Sequence, residues 1–99
     1  TSFFKMSEEY VRLCEHPDYE IGRFYPYPIR EADTKRVIKE IPKGSHLVVK
    51  IDGRYHLKHI LIAEQFVPND DPEKKWIVDF KNGNLYDDSI ENLIWVKHP

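Results

Sequence analysis

A short apolar block, Ile60-Leu61-Ile62-Ala63 with Phe66, is halted by Pro68-Asn69. Nothing else constrains this chain so tightly. Those side chains crowd almost every side of two helical turns, the pattern of a short buried helix rather than a surface one. Proline cannot continue the hydrogen-bond ladder, so the helix ends there. A helix apolar all round must be covered on all sides, and the sequence after it supplies a cover. Trp76, Val78 and Phe80 alternate onto one face of a predicted strand. Asn82-Gly83 marks a tight turn, and Leu93-Ile94-Trp95-Val96 returns as a second strand. The two form a closing hairpin, with Trp76, Val78 and Phe80 expected to be buried and Trp95 nearby. Asn92 is expected to tie down the turn through bonds to backbone groups.

The segment before the helix reads as strands and turns. Residues 1–7 form a lead-in whose Phe3 and Phe4 need a partner. Residues 10–14 suit a strand, with a helical turn from Ser7 as the alternative, and Cys14 reads as a small buried hydrophobe. His16-Pro17-Asp18 is a turn, and Tyr19-Glu20-Ile21 a short strand. Residues 24–29 are extended, because each proline biases its predecessor away from helix. Their rings suit either a base-stacking platform or the cover of a small sheet. Residues 36–41 read as a strand and Pro42-Lys43-Gly44 as a turn.

Residues 46–51 alternate cleanly, and Asp52-Gly53 reads as a hairpin turn. A two-residue loop would set Leu47, Val49 and Ile51 against Lys58, His56 and Arg54. A three-residue loop, with Gly53 left-handed, sets Val49 against Tyr55 and Leu47 against Leu57. The second keeps one face apolar and is the expected register. His46, Val48, Lys50, Arg54, His56 and Lys58 then share the other, mostly basic face.

Charge singles out the same region. The net formal charge is −2, which alone speaks against broad phosphate binding. Residues 35–58, however, carry seven basic and two acidic side chains between acidic ends. Ninety-nine residues suit one domain with one core. No apolar run approaches a membrane-crossing length, no leader is visible, and the start at Thr1 suggests a piece of a longer protein. The single cysteine allows no internal disulfide and fits an intracellular, reducing compartment. His56 and His59 straddle the strand–helix junction, which does not suit a shared metal. No nucleophile triad, phosphate-cradling glycine loop or paired carboxylates stand out.

The ordered set His59, Ala63-Glu64, Phe66, Pro68-Asn69, Val78, Gly83-Asn84, Glu91-Asn92-Leu93 and Trp95-Val96 resembles the HNH homing endonucleases, in their form with an N-terminal DNA-binding module. Glu8-Glu9-Tyr10 followed by Tyr19-Glu20-Ile21 looks like the start of that module. The resemblance implies an α+β fold: small antiparallel sheets, a short central helix, and a closing β-hairpin derived from an HNH, or ββα-metal-like, finger. It implies one domain over 1–99, with module-like strands at 1–53 and the HNH-like helix and hairpin at 54–99. In the family, a metal-binding Asp or Asn and the catalytic His end the strand at Val78; here those positions hold Asp79 and Phe80. A phenyl ring cannot accept a proton. The family's following helix, with its second metal ligand, would lie beyond Pro99, and one carboxylate is a poor cation site.

The expectation from sequence is therefore a non-catalytic binding module on an endonuclease-like scaffold: not an enzyme, with no catalytic residues, no metal and no cofactor. DNA is the first expected partner, bound by Lys35, Arg36, Lys39, Lys43, Lys50, Arg54 and Lys58. A protein-interaction module is the alternative, and a nuclease cut before its metal-binding helix the third reading. No membrane partner is expected.

Overall fold

The computed structural model describes residues 9–98. Phe3 and Phe4 lie outside the described residues. The fold is α+β, with three antiparallel sheets and a single α-helix among those residues. Contacts divide the chain into two compact units between Lys39 and Glu40. The contacts group residues 40–53 with the helix.

The first unit is a three-stranded meander of β1 (Tyr10–Arg12), β2 (Tyr19–Gly22) and β3 (Ile29–Glu31). Ile21 faces Ile29 across it, and both are fully buried with Leu13 and Tyr27. Cys14 is exposed, contrary to expectation, because it follows the end of β1 and starts the bend toward His16. The expected strand over residues 36–41 does not form; only Ile41 enters a strand, as the first residue of the next one. An isolated bridge pairs Val37 with Arg30, and the Ile38 N–H donates to the Ile29 carbonyl at 2.7 Å.

The second unit holds β4 (Ile41–Lys43), β5 (His46–Ile51) and β6 (Arg54–Leu57), then α1 (Lys58–Phe66), then β7 (Ile77–Phe80) and β8 (Leu93–Val96). Pro42 was expected in a turn. It lies within β4, an edge strand, where its missing N–H leaves no ladder bond unmade. The turn is Gly44-Ser45, with Lys43 paired to His46.

β6 runs directly into α1, so the helix starts two residues before its apolar block. Lys58, His59, Leu61, Ile62 and Ala63 are buried in it, and it packs on β5, β6, β7 and β8. The Val67 N–H closes its end on the Ala63 carbonyl. The Trp95 indole donates to the Val67 carbonyl at 2.9 Å, which ties β8 to that end.

In the closing hairpin Val78 pairs with Trp95 and Phe80 with Leu93. Val78 and Phe80 are buried as expected, and Leu93 is buried with them, whereas Trp76, also expected to be buried, is 58% exposed. It precedes the strand and stacks on His98 with ring centres 5.2 Å apart. Asn92 does tie the turn. Its Oδ1 accepts the Asn82 N–H at 3.0 Å, and its Nδ2 donates to the Asp87 carbonyl at 2.8 Å and to Asn82 Oδ1 at 3.0 Å. No helix among the described residues is long and apolar enough to cross a membrane.

Candidate nucleic-acid interface

The β5–β6 turn decides which side chains share a surface. Asp52 and Gly53 both have positive φ, 51° and 80°, as a two-residue hairpin turn of the primed type requires. Ile51 therefore pairs with Arg54, Lys50 with Tyr55, Val49 with His56 and Val48 with Leu57. The three-residue loop expected from the apolar pattern is not formed. The pattern misled because Val48 and Val49 are both buried, so the strand has no purely polar face to protect.

Directly paired residues project to the same side of a sheet. Arg54 and His56 therefore lie with Leu47, Val49 and Ile51, while Lys50 lies with His46, Val48, Tyr55 and Leu57. Lys43, paired with His46, joins that second face. The predicted basic face is split. On one side a tighter group remains, an exposed Tyr55 ring flanked by Lys43 Nζ at 4.4 Å and Lys50 Nζ at 5.6 Å from its centre. Sequence reasoning had assigned Tyr55 to the apolar face and missed it. The Asp52-Gly53 dipeptide was the signal for the right register.

The other predicted cations fare differently. Lys58 is fully buried, with its ammonium on the Glu40 carboxylate, and does not belong to a solvated phosphate-binding face. Its position at the first turn of a buried helix, which no sequence charge count registers, draws it inward. In the first unit, Lys35 lies 3.4 Å from Glu20 and Arg36 2.9 Å from Glu31. The hydrogen bond from Arg36, then that from Thr34, holds the Glu31 carboxyl below its usual range. Burial resists ionisation of Glu20, but Arg30 and Lys35 outweigh it and lower its pKa. Lys39 and Arg54 are exposed.

Beneath the hairpin lies a group of three rings. His59 is 4.8 Å from Phe80 and 5.2 Å from His46, and His46 stacks on Phe80 at 6.4 Å, centre to centre. Burial, then the charge of His46, lowers the His59 pKa from 6.5 to about 4, so His59 is neutral at pH 7. His46 Nδ1 is buried with no hydrogen-bond partner. Asp79 is exposed, and its Oδ1 accepts the Phe80 N–H at 2.8 Å. Among the described residues no three His, Cys, Asp or Glu side chains gather where they could hold a metal. Asp79 alone does not fit the divalent cation that the family resemblance implies.

Residues 56–99 match the family model described as HNH endonuclease. An uncharacterized HNH endonuclease, L247, of Acanthamoeba polyphaga mimivirus is 33% identical over 73 residues, which is 69% of this chain and 18% of that protein. No solved structure matches the chain. The chain belongs to an HNH endonuclease-like family.

This corrects the expectation that the chain is not an enzyme. Members of the matched family are endonucleases, and the family model covers the very segment in which Phe80 stands. The expectation inferred inactivity from one side chain and from where the chain stops. A stopping point carries no such weight in a chain that spans 18% of its curated relative.

Proposed function

We propose that this chain serves an HNH endonuclease that cuts DNA, and that its β5–β6 hairpin holds the DNA backbone. In this reading α1 with the β7–β8 hairpin is the HNH finger, and the strands before it form the N-terminal module. The observation that carries the reading is the pair of ammonium groups on Tyr55, exposed on a hairpin that leads straight into the segment matched by the family model. Phosphate contacts need cations gathered on one surface and not already neutralised by carboxylates. Lys43 and Lys50 are gathered, exposed and held over a ring, which is neutral and leaves their charge available. Arg54 starts from the opposite face of the hairpin, but it is exposed next to the turn, where a duplex laid over the hairpin tip would meet it as a third contact. Lys35, Arg36 and Lys39 are secondary candidates, since the first two already contact acids. Lys58 is not among them.

Three phosphate contacts make duplex affinity fall with salt at a log–log slope of roughly −3. Labelled duplex titrated at several salt concentrations measures it. Replacing Lys43, Lys50 and Arg54 together by Glu should abolish binding and leave the thermal midpoint near wild type, because all three side chains are solvated. Incubation of supercoiled plasmid with the protein and Mg²⁺ or Mn²⁺ tests the enzymatic half. Nicking that disappears with the triple reversal supports the whole reading. Binding indifferent to the reversal overturns the interface, and binding without cleavage by the full-length protein under either metal overturns the endonuclease.

A further inference from the structure

The first unit carries a cavity of about 210 Å³ lined by Glu9, Tyr10, Phe24, Tyr25, Pro26 and Pro28. Its floor is tight. A Cβ at Gly22 would lie 2.8 Å from the Pro28 ring, and the Gly22 N–H donates to the Pro28 carbonyl at 2.8 Å. Two of its rings are left in solvent, Phe24 at 70% exposure and Tyr25 at 61%. Large exposed rings side by side are costly to leave bare and mark an interaction site. They are also held in place. Tyr25 packs edge-on against the buried Tyr27 at 5.8 Å, and the Arg23 N–H next to Phe24 is pinned to the Glu9 carbonyl at 2.8 Å. Little conformational freedom remains to be lost on binding.

We propose that this cavity is a receptor for an arginine side chain displayed by a protein partner. Phe24 and Tyr25 offer ring faces and edges, and the prolines an apolar wall for the aliphatic stem. Among the described lining residues Glu9 alone carries a charge, which favours a cationic occupant. Electron-rich ring faces attract a cation, and a guanidinium, planar and weakly hydrated, suits them better than an ammonium. The chain already uses this chemistry once, since the Arg30 guanidinium lies 3.6 Å from the centre of the Tyr10 ring. A nucleobase could also stack on exposed rings. It would bring a phosphodiester toward Glu9, into a segment, residues 1–34, that holds seven acidic and four basic side chains. Charge complementarity therefore favours the basic protein partner. The site shares no residue with the Lys43–Tyr55–Lys50 surface.

Isotope-labelled protein titrated with a glycine–serine peptide carrying one central arginine, blocked at both ends, tests this directly. The amide resonances of Gly22, Phe24 and Tyr25 should move, while a twin peptide with citrulline, of the same shape without the charge, should move them little. Glu9→Gln should weaken the arginine peptide by about threefold, and Tyr25→Ala by at least as much. Glu9→Gln changes only a side-chain group, so the Arg23 hydrogen bond to its carbonyl survives. A citrulline peptide that binds equally well overturns the proposal. So does a thymidine oligonucleotide that moves these resonances while the arginine peptide does not, and so does silence from all three probes.

Discussion

Tyr55 shows how much one side chain can organise without being buried. Two lysines on neighbouring strands would repel each other if both approached the same phosphate unaided. The ring between them gives each a favourable contact of about 0.5–1 kcal/mol at an exposed site. Tyr55→Ala should therefore weaken duplex binding by roughly threefold to tenfold while the salt slope stays near wild type, because the charges remain and only their placement is lost. Lys58 is the opposite case. Its ammonium is wholly buried against Glu40, whose side chain stays 30% exposed. Glu40→Gln takes the paired carboxylate from a buried cation that Asp88 also attracts, and should cost about 1–3 kcal/mol in urea unfolding. Lys58→Met should cost less, since Glu40 can turn to water. His59 adds a pH dependence. Its pKa is lowered in the folded state to about 4, so the unfolded chain binds the proton more readily. Stability should be fully present above pH 6.5 and fall by up to about 3 kcal/mol as pH drops to 4. Burial raises the Asp88 pKa against the pull of Lys58, so Asp88 partly offsets that fall in the acid range. His59→Phe should flatten the slope between pH 6.5 and 5, measured by unfolding at each pH.

At the scale of elements, the closing hairpin and the helix hold each other. Phe80 at the end of β7 packs on His59 of α1, and Trp95 of β8 bonds to the backbone where α1 ends. Phe80→Ala should cost about 3–5 kcal/mol, the usual penalty for truncating a buried ring, whereas Trp76→Ala should stay within about 0.5 kcal/mol. Thermal unfolding of the two variants side by side separates packing from surface. The β5–β6 turn sets the register of the central sheet through two positive-φ residues. Pro68-Asn69 ends α1, and the same Asn69 closes the loop after it, its Nδ2 donating to the Lys75 carbonyl at 2.6 Å.

At the scale of the whole molecule, the average charge hides the distribution that matters for binding. A chain of net charge −2 should bind duplex DNA poorly in high salt and well in low salt, because only local cations take part. The two units carry different surfaces. One has aromatic rings with a carboxylate, the other a ring with two lysines. Removing the arginine-receptor chemistry by Glu9→Gln should leave the salt slope of DNA binding unchanged, as competition titrations can show.

Local chemistry alone determined the helix at Ile60–Phe66, its stop at Pro68, the Asn-Gly turn, the Asn92 tether and the burial of Phe80. Each follows from a backbone constraint or a run of apolar residues that acts over a few positions. The family resemblance was legible for the same reason, since its motif residues are those that make turns and fill the core. Tertiary structure decided the rest. Whether Arg54 shares a face with Lys50 depends on one residue of loop length, and in the two-residue turn it does not; the alternation misled because both Val48 and Val49 are covered. Lys58 reads as a surface cation until the helix start is carried inward against Glu40. Tyr55 reads as core until its pairing with Lys50 turns it outward. A charge or a ring has no side of its own in a sequence; packing of the elements around it assigns one.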